Sequence, residues 1–169
     1  MCVGPIGSDP IQGRIAVMVK VIRSTILPAP VEAVWDVLRD FNGHDRWHPA
    51  IATSQIERGR EADRVGCVRR FKLTDGSELR EQLLALSDAD ASYSYCLLDT
   101  PVPLFNYVSH VRLLPVTDED HTFWQWEGRF STFADQVDDL ARMVGEDIYE
   151  AGFSAIRAEM GLEAAHAGS

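Results

Sequence analysis

The sequence predicts an α+β fold in which seven antiparallel strands pack against one long C-terminal helix. Short runs rich in β-branched and aromatic residues occupy positions 15–27 and 51–130, with turn residues between them roughly every 8–12 positions. Between positions 140 and 152, small or apolar residues recur every four positions, as on one face of a helix. An antiparallel sheet with a single amphipathic helix buries its apolar face against that helix.

The elements are expected in the order strand, helix, six strands and helix. Positions 15–27 alternate well enough for the first strand, and Pro30 begins a helix that ends before Gly43. The Asp75-Gly76 pair predicts a tight hairpin. The six further strands are predicted at 51–57, 65–74, 78–87, 92–98, 106–116 and 122–130, and the last helix at about 133–160.

A chain of 169 residues is long enough for one domain with a substantial core. We predict a single domain over residues 15–161. The Gly/Pro-rich residues 1–14 lack periodicity and are expected to form a flexible arm, and residues 162–169 are expected to form a frayed tail.

The charge and the cysteines limit the classes of function. The net charge is −10, and the absence of a basic excess argues against nucleic acid and against an anionic membrane surface as partners. No apolar run reaches the roughly 20 residues of a membrane span, and the N-terminus lacks the pattern of a secretory signal. The three cysteines are too widely spaced for a disulfide framework or a CxxC site. Together these features predict a cytoplasmic protein.

Polar side chains share the apolar face of three neighbouring strands. Alternation places Arg69 with Val65, Cys67, Phe71 and Leu73; Glu81 with Leu79, Leu83 and Ala85; and Tyr107 and Ser109 with Phe105, Val111 and Leu113. Buried charges need partners, so an Arg69–Glu81 pair is expected. That pair is either a salt bridge without further role or the polar end of a ligand cavity.

Two further stretches allow alternatives. In strand 122–130 we expect Trp124, Trp126 and Phe130 to face inward, whereas the reverse assignment would place Glu127 inside.

In the stretch FNGHDRWHPAI, His44 and His48 are spaced like helical metal ligands. Because Gly43 and Pro49 leave little regular helix to hold them, no metal site is predicted. His48 remains a candidate base, since histidine titrates near neutrality.

Several ordered motifs carry a family resemblance over about residues 18–160: LPAPVEAVWDVLRDF, WHP, GCVR, DGSELREQL, PVPLFNYVS and WEGRF. With these motifs the chain resembles the START/Bet v 1-like superfamily, and within it the bacterial polyketide cyclase/dehydrase-type proteins, including the MxaD-like group. The resemblance implies a helix-grip fold, in which a curved seven-stranded antiparallel sheet wraps around the C-terminal helix and encloses an apolar cavity. It also implies that Trp47 and Pro49 are packing anchors at a cavity mouth.

The plant abscisic acid receptors of this superfamily suggest a pocket. The resemblance places pocket residues in the stretches Gly66–Arg69, Glu81–Leu83 and Asn106–Ser109, and on the helix at Val144, Ile148 and Gly152. The receptors' lysine for the hormone carboxylate has no counterpart in RWHPAI, and their gate loop is replaced by the short turn TDGSE. A carboxylate hormone held in the same way is therefore not expected.

These observations lead to three functional hypotheses. The first is binding or carrying of a small hydrophobic or aromatic molecule in the cavity. The second is a cyclase, aromatase or lyase acting on a polyketide-like or aromatic substrate, with Glu81 or His48 as base and with Arg69 and Tyr107 stabilising an enolate oxygen. The third is an interaction module with a vestigial cavity. No cofactor motif is visible, no cofactor is expected, and the sequence leaves monomer and dimer open. The predicted ligand-binding residues are Trp47, His48, Cys67, Arg69, Phe71, Glu81, Leu83, Tyr95, Val102, Pro103, Phe105, Tyr107, Ser109, Trp126, Phe130, Leu140, Val144, Ile148 and Gly152.

Overall fold

The computed structural model describes residues 15–162, which form one seven-stranded antiparallel sheet and a long C-terminal helix. The predicted arm, residues 1–14, and all but the first residue of the predicted tail lie outside the described residues, so those limits stay predictions. The strands are β1 (Ala16–Leu27), β2 (Ile51–Ile56), β3 (Val68–Leu73), β4 (Glu78–Ser87), β5 (Ser92–Asp99), β6 (Phe105–Val116) and β7 (His121–Phe133). The helices are α1 (Val31–Leu38), α2 (Val137–Arg142), a π-helical segment (Met143–Glu150) and α3 (Ala151–Glu159).

The sheet order is β1-β7-β6-β5-β4-β3-β2, so the first and last strands are neighbours. Every other neighbouring pair is consecutive in the chain and antiparallel. Short 3₁₀ turns at Gly43–Arg46, Glu57–Gly59 and Ala134–Gln136 connect the larger elements. The predicted α+β fold class, with its antiparallel sheet and C-terminal helix, is confirmed.

The hairpin between β3 and β4 fixes which of their residues face each other. Gly76 has a φ of +92°, a left-handed conformation that glycine adopts without steric cost. The Asp75 carboxylate accepts hydrogen bonds from the backbone N–H and the hydroxyl of Ser77, and Leu73 N–H donates to the carbonyl of Ser77 at 2.8 Å. This turn places Arg69 directly opposite Glu81.

The C-terminal helix, meaning α2, the π segment and α3 together, lies against β7. The ring of Tyr149 stacks on Trp126 at 4.5 Å between centroids, and Phe153 meets Trp124 edge-on at 4.6 Å. The π segment changes the periodicity, because Val144 and Tyr149 are five positions apart and both fully buried. A strict four-residue repeat predicts Ile148 in the stripe and misses Tyr149.

Strand β7 faces inward with its aromatic side chains, as predicted. Trp124, Trp126 and Phe130 are buried, whereas Glu127 lies on the outer face of the sheet. There Glu127 forms salt bridges with Lys20 at 3.3 Å and Arg129 at 2.7 Å. The alternative that places Glu127 in the cavity is therefore wrong.

The inward orientation predicted for Phe105 is wrong. Asn106 has a φ of +53°, and the register between β6 and β7 shifts between Phe105 and Val108. This irregularity turns Phe105 to the outer face, where 41% of the residue is exposed and its ring packs edge-on against Phe133 at 5.3 Å. From Tyr107 onward, β6 follows the predicted alternation.

The prediction for Val65 is wrong for a related reason. Val65 is 56% exposed, because the chain bends at Gly66, whose φ is +88°, and β3 begins only at Val68. Cys67 is fully buried nonetheless. A turn residue in left-handed conformation therefore interrupts the alternation at the start of β3, as at the start of β6.

Candidate functional site

Arg69 and Glu81 form a buried ion pair on the inner face of the sheet. Nε and Nη2 of Arg69 donate hydrogen bonds to Oε2 of Glu81 at 2.9 and 2.5 Å. Only 3% of the Arg69 side chain and 8% of the Glu81 side chain are exposed. Strand alternation and the β3–β4 hairpin bring the two residues together, as the sequence predicts.

The remaining hydrogen bonds of Arg69 go to the loop after α1. Its Nη1 donates to the carbonyl of Phe41 at 2.5 Å and to Nδ1 of His44, so four of its five N–H groups have partners. The guanidinium carbon also lies 4.2 Å from the centroid of the Phe41 ring. This loop therefore closes over the positive charge and separates it from solvent.

His44 is a neutral hydrogen-bonding partner in this cluster. Its Nδ1 lies beside Nη1 of Arg69 and 3.2 Å from the carbonyl of Phe41. Because an arginine N–H can only donate, we assign Nδ1 as the acceptor and place the proton on Nε2, which then donates to the hydroxyl of Tyr93 at 3.2 Å. Burial lowers the pKa of His44 well below 6.5, and the adjacent positive charge of Arg69 lowers it further. Sequence reasoning treated His44 only as a metal candidate, since nothing in a loop pattern points to an arginine partner.

Burial acts in opposite directions on the two members of the ion pair. It raises the pKa of Glu81, and the charge and hydrogen bonds of Arg69 oppose that rise. Burial by itself would lower the pKa of Arg69, but the charge and hydrogen bonds of Glu81 together with the nearby Tyr95 and Tyr93 outweigh it, so the pKa is raised and Arg69 remains protonated. The pair is thus a fixed dipole in an apolar surrounding.

His48 is held by backbone groups on both sides. Its Nε2 donates to the carbonyl of Ile148 in the π segment at 3.0 Å, and its Nδ1 accepts from the N–H of Ala50 at 3.2 Å. Burial lowers the pKa of His48, with the hydrogen bond to Ile148 acting in the opposite direction. Both ring nitrogens are engaged, which leaves His48 poorly placed to remove a proton from a substrate.

A cluster of hydroxyl groups lies further along the inner face, where β6 meets the C-terminal helix. The hydroxyls of Tyr107 and Tyr149 are 2.6 Å apart, and Tyr149 lies 3.3 Å from Oγ of Ser109. Ser109 donates to the carbonyl of Glu127 at 3.0 Å and accepts from Nε1 of Trp126 at 2.9 Å. Burial raises the pKa of both tyrosines, so both hydroxyls stay protonated.

Gly128 provides the space for this cluster. A Cβ atom at this position would collide with the hydroxyl of Tyr149 and would lie 3.4 Å from the ring of Tyr107. Glycine in the interior of a strand often marks such a close approach. The WEGRF motif contains this glycine, but its partner Tyr149 could not be identified from the sequence, because the π segment that buries Tyr149 was not predicted.

A cavity of about 110 Å³ lies between the inner face of the sheet and the C-terminal helix. Its polar wall contains Arg69, Glu81, Tyr95 and Tyr107, together with His44, His48 and Trp126. Its apolar wall consists of Ala50, Ile51, Phe71, Leu73, Leu79, Leu97, Leu104 and Ile148. The volume is of the same order as the roughly 150 Å³ of an apolar cavity that holds benzene, so the cavity suits a group of about one ring.

Eight of the predicted ligand-binding residues line this cavity: His48, Arg69, Phe71, Glu81, Tyr95, Tyr107, Trp126 and Ile148. The others lie outside its wall: Trp47, Cys67, Leu83, Val102, Pro103, Phe105, Ser109, Phe130, Leu140, Val144 and Gly152. Seven lining residues were not predicted: His44, Ala50, Ile51, Leu73, Leu79, Leu97 and Leu104. Strand alternation already predicts Leu73 and Leu79 on the same face as Arg69 and Glu81, although the two leucines were not among the predicted ligand-binding residues.

Gly152 affects the cavity from behind its wall. A Cβ atom there would lie 2.9 Å from the ring of Trp126 and 3.5 Å from Cδ2 of His48. The missing side chain therefore allows α3 to lie close to β7 and to the loop that carries His48. Gly152 therefore influences how the cavity wall packs and is not itself a lining residue.

Within residues 15–162, no group of three or more histidine, cysteine or acidic side chains is arranged to hold a metal ion. His44 and His48 instead use their ring nitrogens for the hydrogen bonds described above. No helix in that part of the chain is long and apolar enough to cross a membrane.

Comparison with known proteins identifies the family. Residues 18–161 match the family described as "Polyketide cyclase / dehydrase and lipid transport". The chain belongs to this family. The resemblance inferred from the motifs is thereby confirmed, and it covers the whole sheet except the first two residues of β1.

Solved structures of the same fold support this assignment. An uncharacterised protein from Bacillus thuringiensis is 25% identical with a TM-score of 0.74, covering 83% of this chain and 98% of that one. A protein from Thermobifida fusca is 26% identical with a TM-score of 0.75, covering 85% and 95%. The protein XoxI from Bacillus cereus is 25% identical with a TM-score of 0.71, covering 83% and 94%. These proteins thus share the fold of the sheet and C-terminal helix with this chain.

Proposed function

We propose that this protein binds a small, largely apolar molecule in the cavity between the sheet and the C-terminal helix. The observation that carries the proposal is the composition of the cavity wall, in which apolar side chains surround a few convergent polar groups at the Arg69–Glu81 end. Ligand sites in proteins have this composition. The family description, which includes lipid transport, agrees with a binding role.

The first experiment looks for the bound molecule and locates it. Native mass spectrometry of freshly purified protein is expected to detect a co-purified small molecule, or toluene after its addition. Ala50→Leu places a larger side chain in the cavity wall and should abolish this binding. Ala52→Leu is the matched control, because Ala52 lies two residues later, at the start of β2, and is exposed. Equal retention by both variants, or no binding of either kind to the wild type, contradicts the proposal.

A second candidate is an enzyme acting on a polyketide-like or aromatic substrate, as the first part of the family description suggests. The observation that favours it is Glu81, a cavity-lining carboxyl group whose pKa is raised by burial, as in many general acids and bases. Glu81→Gln should then abolish turnover of an enolisable aromatic substrate, whereas Glu57→Gln, on the outer face, should not. Unchanged turnover in Glu81→Gln contradicts this candidate.

A further inference from the structure

The charged groups of the cavity balance to zero. Arg69 and Glu81 contribute one charge of each sign. The two histidines in the wall are neutral by geometry, because Nδ1 of His44 accepts from Arg69 and Nδ1 of His48 accepts from the N–H of Ala50. A ligand that enters the cavity therefore meets a site without net charge.

Arg69 has little capacity left for an anion. Four of its five N–H groups already donate to protein acceptors, and its charge is matched by Glu81. An anionic ligand would also come to lie beside the Glu81 carboxylate. Burying an ion without an available counter-charge is strongly unfavourable, so the site is built against anions.

Glu81, by contrast, retains an acceptor. Both hydrogen bonds from Arg69 end on Oε2, and within the described part of the chain no hydrogen bond to Oε1 is found. Because Glu81 lines the cavity, this oxygen is available to a donor inside it. The rings of Tyr95, Tyr107 and Trp126 and the side chain of Phe71 provide flat apolar surfaces nearby.

From this arrangement we infer that the cavity selects an uncharged molecule of about one-ring size that carries a hydrogen-bond donor, with Oε1 of Glu81 as the acceptor, and that it rejects anions. The inference rests on the proposed binding function and narrows it to a ligand class. It also reverses the role expected of Arg69, which holds Glu81 in place and does not itself contact the ligand.

The test uses two pairs of probes of nearly equal shape with the wild-type protein at about pH 7, where a phenol hydroxyl is neutral. Phenol and toluene differ in the donor, and benzamide and benzoate differ in the charge. Binding is followed by NMR chemical-shift changes of Tyr107 and Ile148. Phenol should bind about tenfold or more tightly than toluene, since a hydrogen bond to a charged group is worth at least that factor. The affinity for benzamide should exceed the affinity for benzoate by about tenfold or more.

The variant Glu81→Gln should remove or reverse the preference for the uncharged probe over the anionic one. It leaves Arg69 without its counter-charge, so benzoate should then bind at least as tightly as benzamide, and the preference for phenol over toluene should shrink. Glu57→Gln, the same substitution on the outer face, should keep the wild-type pattern. If Glu81→Gln fails to fold, the four probes on the wild type still decide the question.

The outcomes separate the inference from the function on which it rests. Binding of toluene in the cavity with no preference for phenol, or benzoate binding as tightly as benzamide to the wild type, overturns the inference and leaves the proposed function intact. Binding of none of the four probes overturns both. The expected order, phenol above toluene and benzamide above benzoate, supports both.

Discussion

Two arginine–glutamate pairs lie on opposite faces of the same sheet. On the inner face, Arg69 and Glu81 approach to 2.5 Å, with 3% and 8% of their side chains exposed. On the outer face, Arg80 and Glu57 approach to 2.7 Å, with 33% and 20% exposed. The contacts are alike, but the outer charges are open to solvent if the pair is broken, whereas the inner charges are almost entirely buried. The difference in surroundings, and not in contact distance, decides what each pair does.

The largest expected effect is that of Glu81→Ala. Removal of the carboxylate leaves Arg69 as a buried charge without its counter-ion, which should lower the free energy of unfolding by about 3–5 kcal/mol if the site is dry. Urea denaturation at neutral pH measures the change. Replacing both residues by apolar ones, as in Arg69→Met with Glu81→Leu, should recover most of the loss. A loss for Glu81→Ala no larger than that for Glu57→Ala would show that water reaches the inner pair.

Gly128→Ala should have the next largest effect, on the neutral hydroxyl cluster of the inner face. The added Cβ collides with the hydroxyl of Tyr149, and overpacking of this kind costs roughly 1–3 kcal/mol. Thermal or urea unfolding measures it. In a Tyr149→Phe background the clash is relieved, so the two substitutions should be less destabilising together than the sum of their separate effects. Strict additivity would mean that the helix moves away from β7 instead.

The pH dependence of stability should distinguish the two faces. The folded pKa values of His44 and His48 lie below 6.5, so just below pH 6.5 the unfolded chain binds more protons than the folded one. The stability that these neutral histidines contribute is therefore present above pH 6.5 and is lost as the pH falls below it. His44→Asn, which offers Arg69 an amide oxygen as acceptor, should flatten the slope of unfolding free energy between about pH 6.5 and 5. An unchanged slope would contradict the neutral His44.

The smallest effect is expected at Glu57. Its hydrogen bond from Arg80 is the main reason that its pKa is lowered from 4.5 to about 2, so its contribution is present above pH 4.5 and is lost as the pH falls toward 2. Because the group is solvated, Glu57→Ala should change the stability at pH 7 little and should lose what effect it has at high salt. A strong, salt-independent loss would place this pair in the same class as the inner one.

The Arg69–Glu81 pair could be predicted from the sequence, but most of the residues that surround it could not. Regular alternation and a hairpin signal at Asp75-Gly76 predict Arg69 and Glu81 as neighbours, because both depend on local geometry alone. Phe105 and Val65 were assigned to the wrong face, since left-handed residues shift the alternation by one position. Such shifts leave no periodic trace in the sequence.

The partners supplied by irregular segments were also beyond prediction. His44 reaches Arg69 from a loop, and a loop has no period from which its side-chain direction could be inferred. Tyr149 becomes buried because the π segment replaces a four-residue spacing by a five-residue one. The family and its helix-grip fold were nonetheless predictable, because they depend on the order of the elements, which these local irregularities do not change.

The hydrogen bond from His48 to the carbonyl of Ile148 has a kinetic consequence. This hydrogen bond connects the loop at residues 41–50 to the C-terminal helix, and the hydrogen bonds of Phe41 and His44 with Arg69 connect the loop to the sheet. We expect ligands to enter and leave past this loop, because His44, His48 and Ala50 line the cavity, and outward movement of the loop would break these contacts together. Guest exchange and local opening of the loop should therefore share one barrier, and a slow release rate would accompany strong protection of the loop's amides from hydrogen exchange.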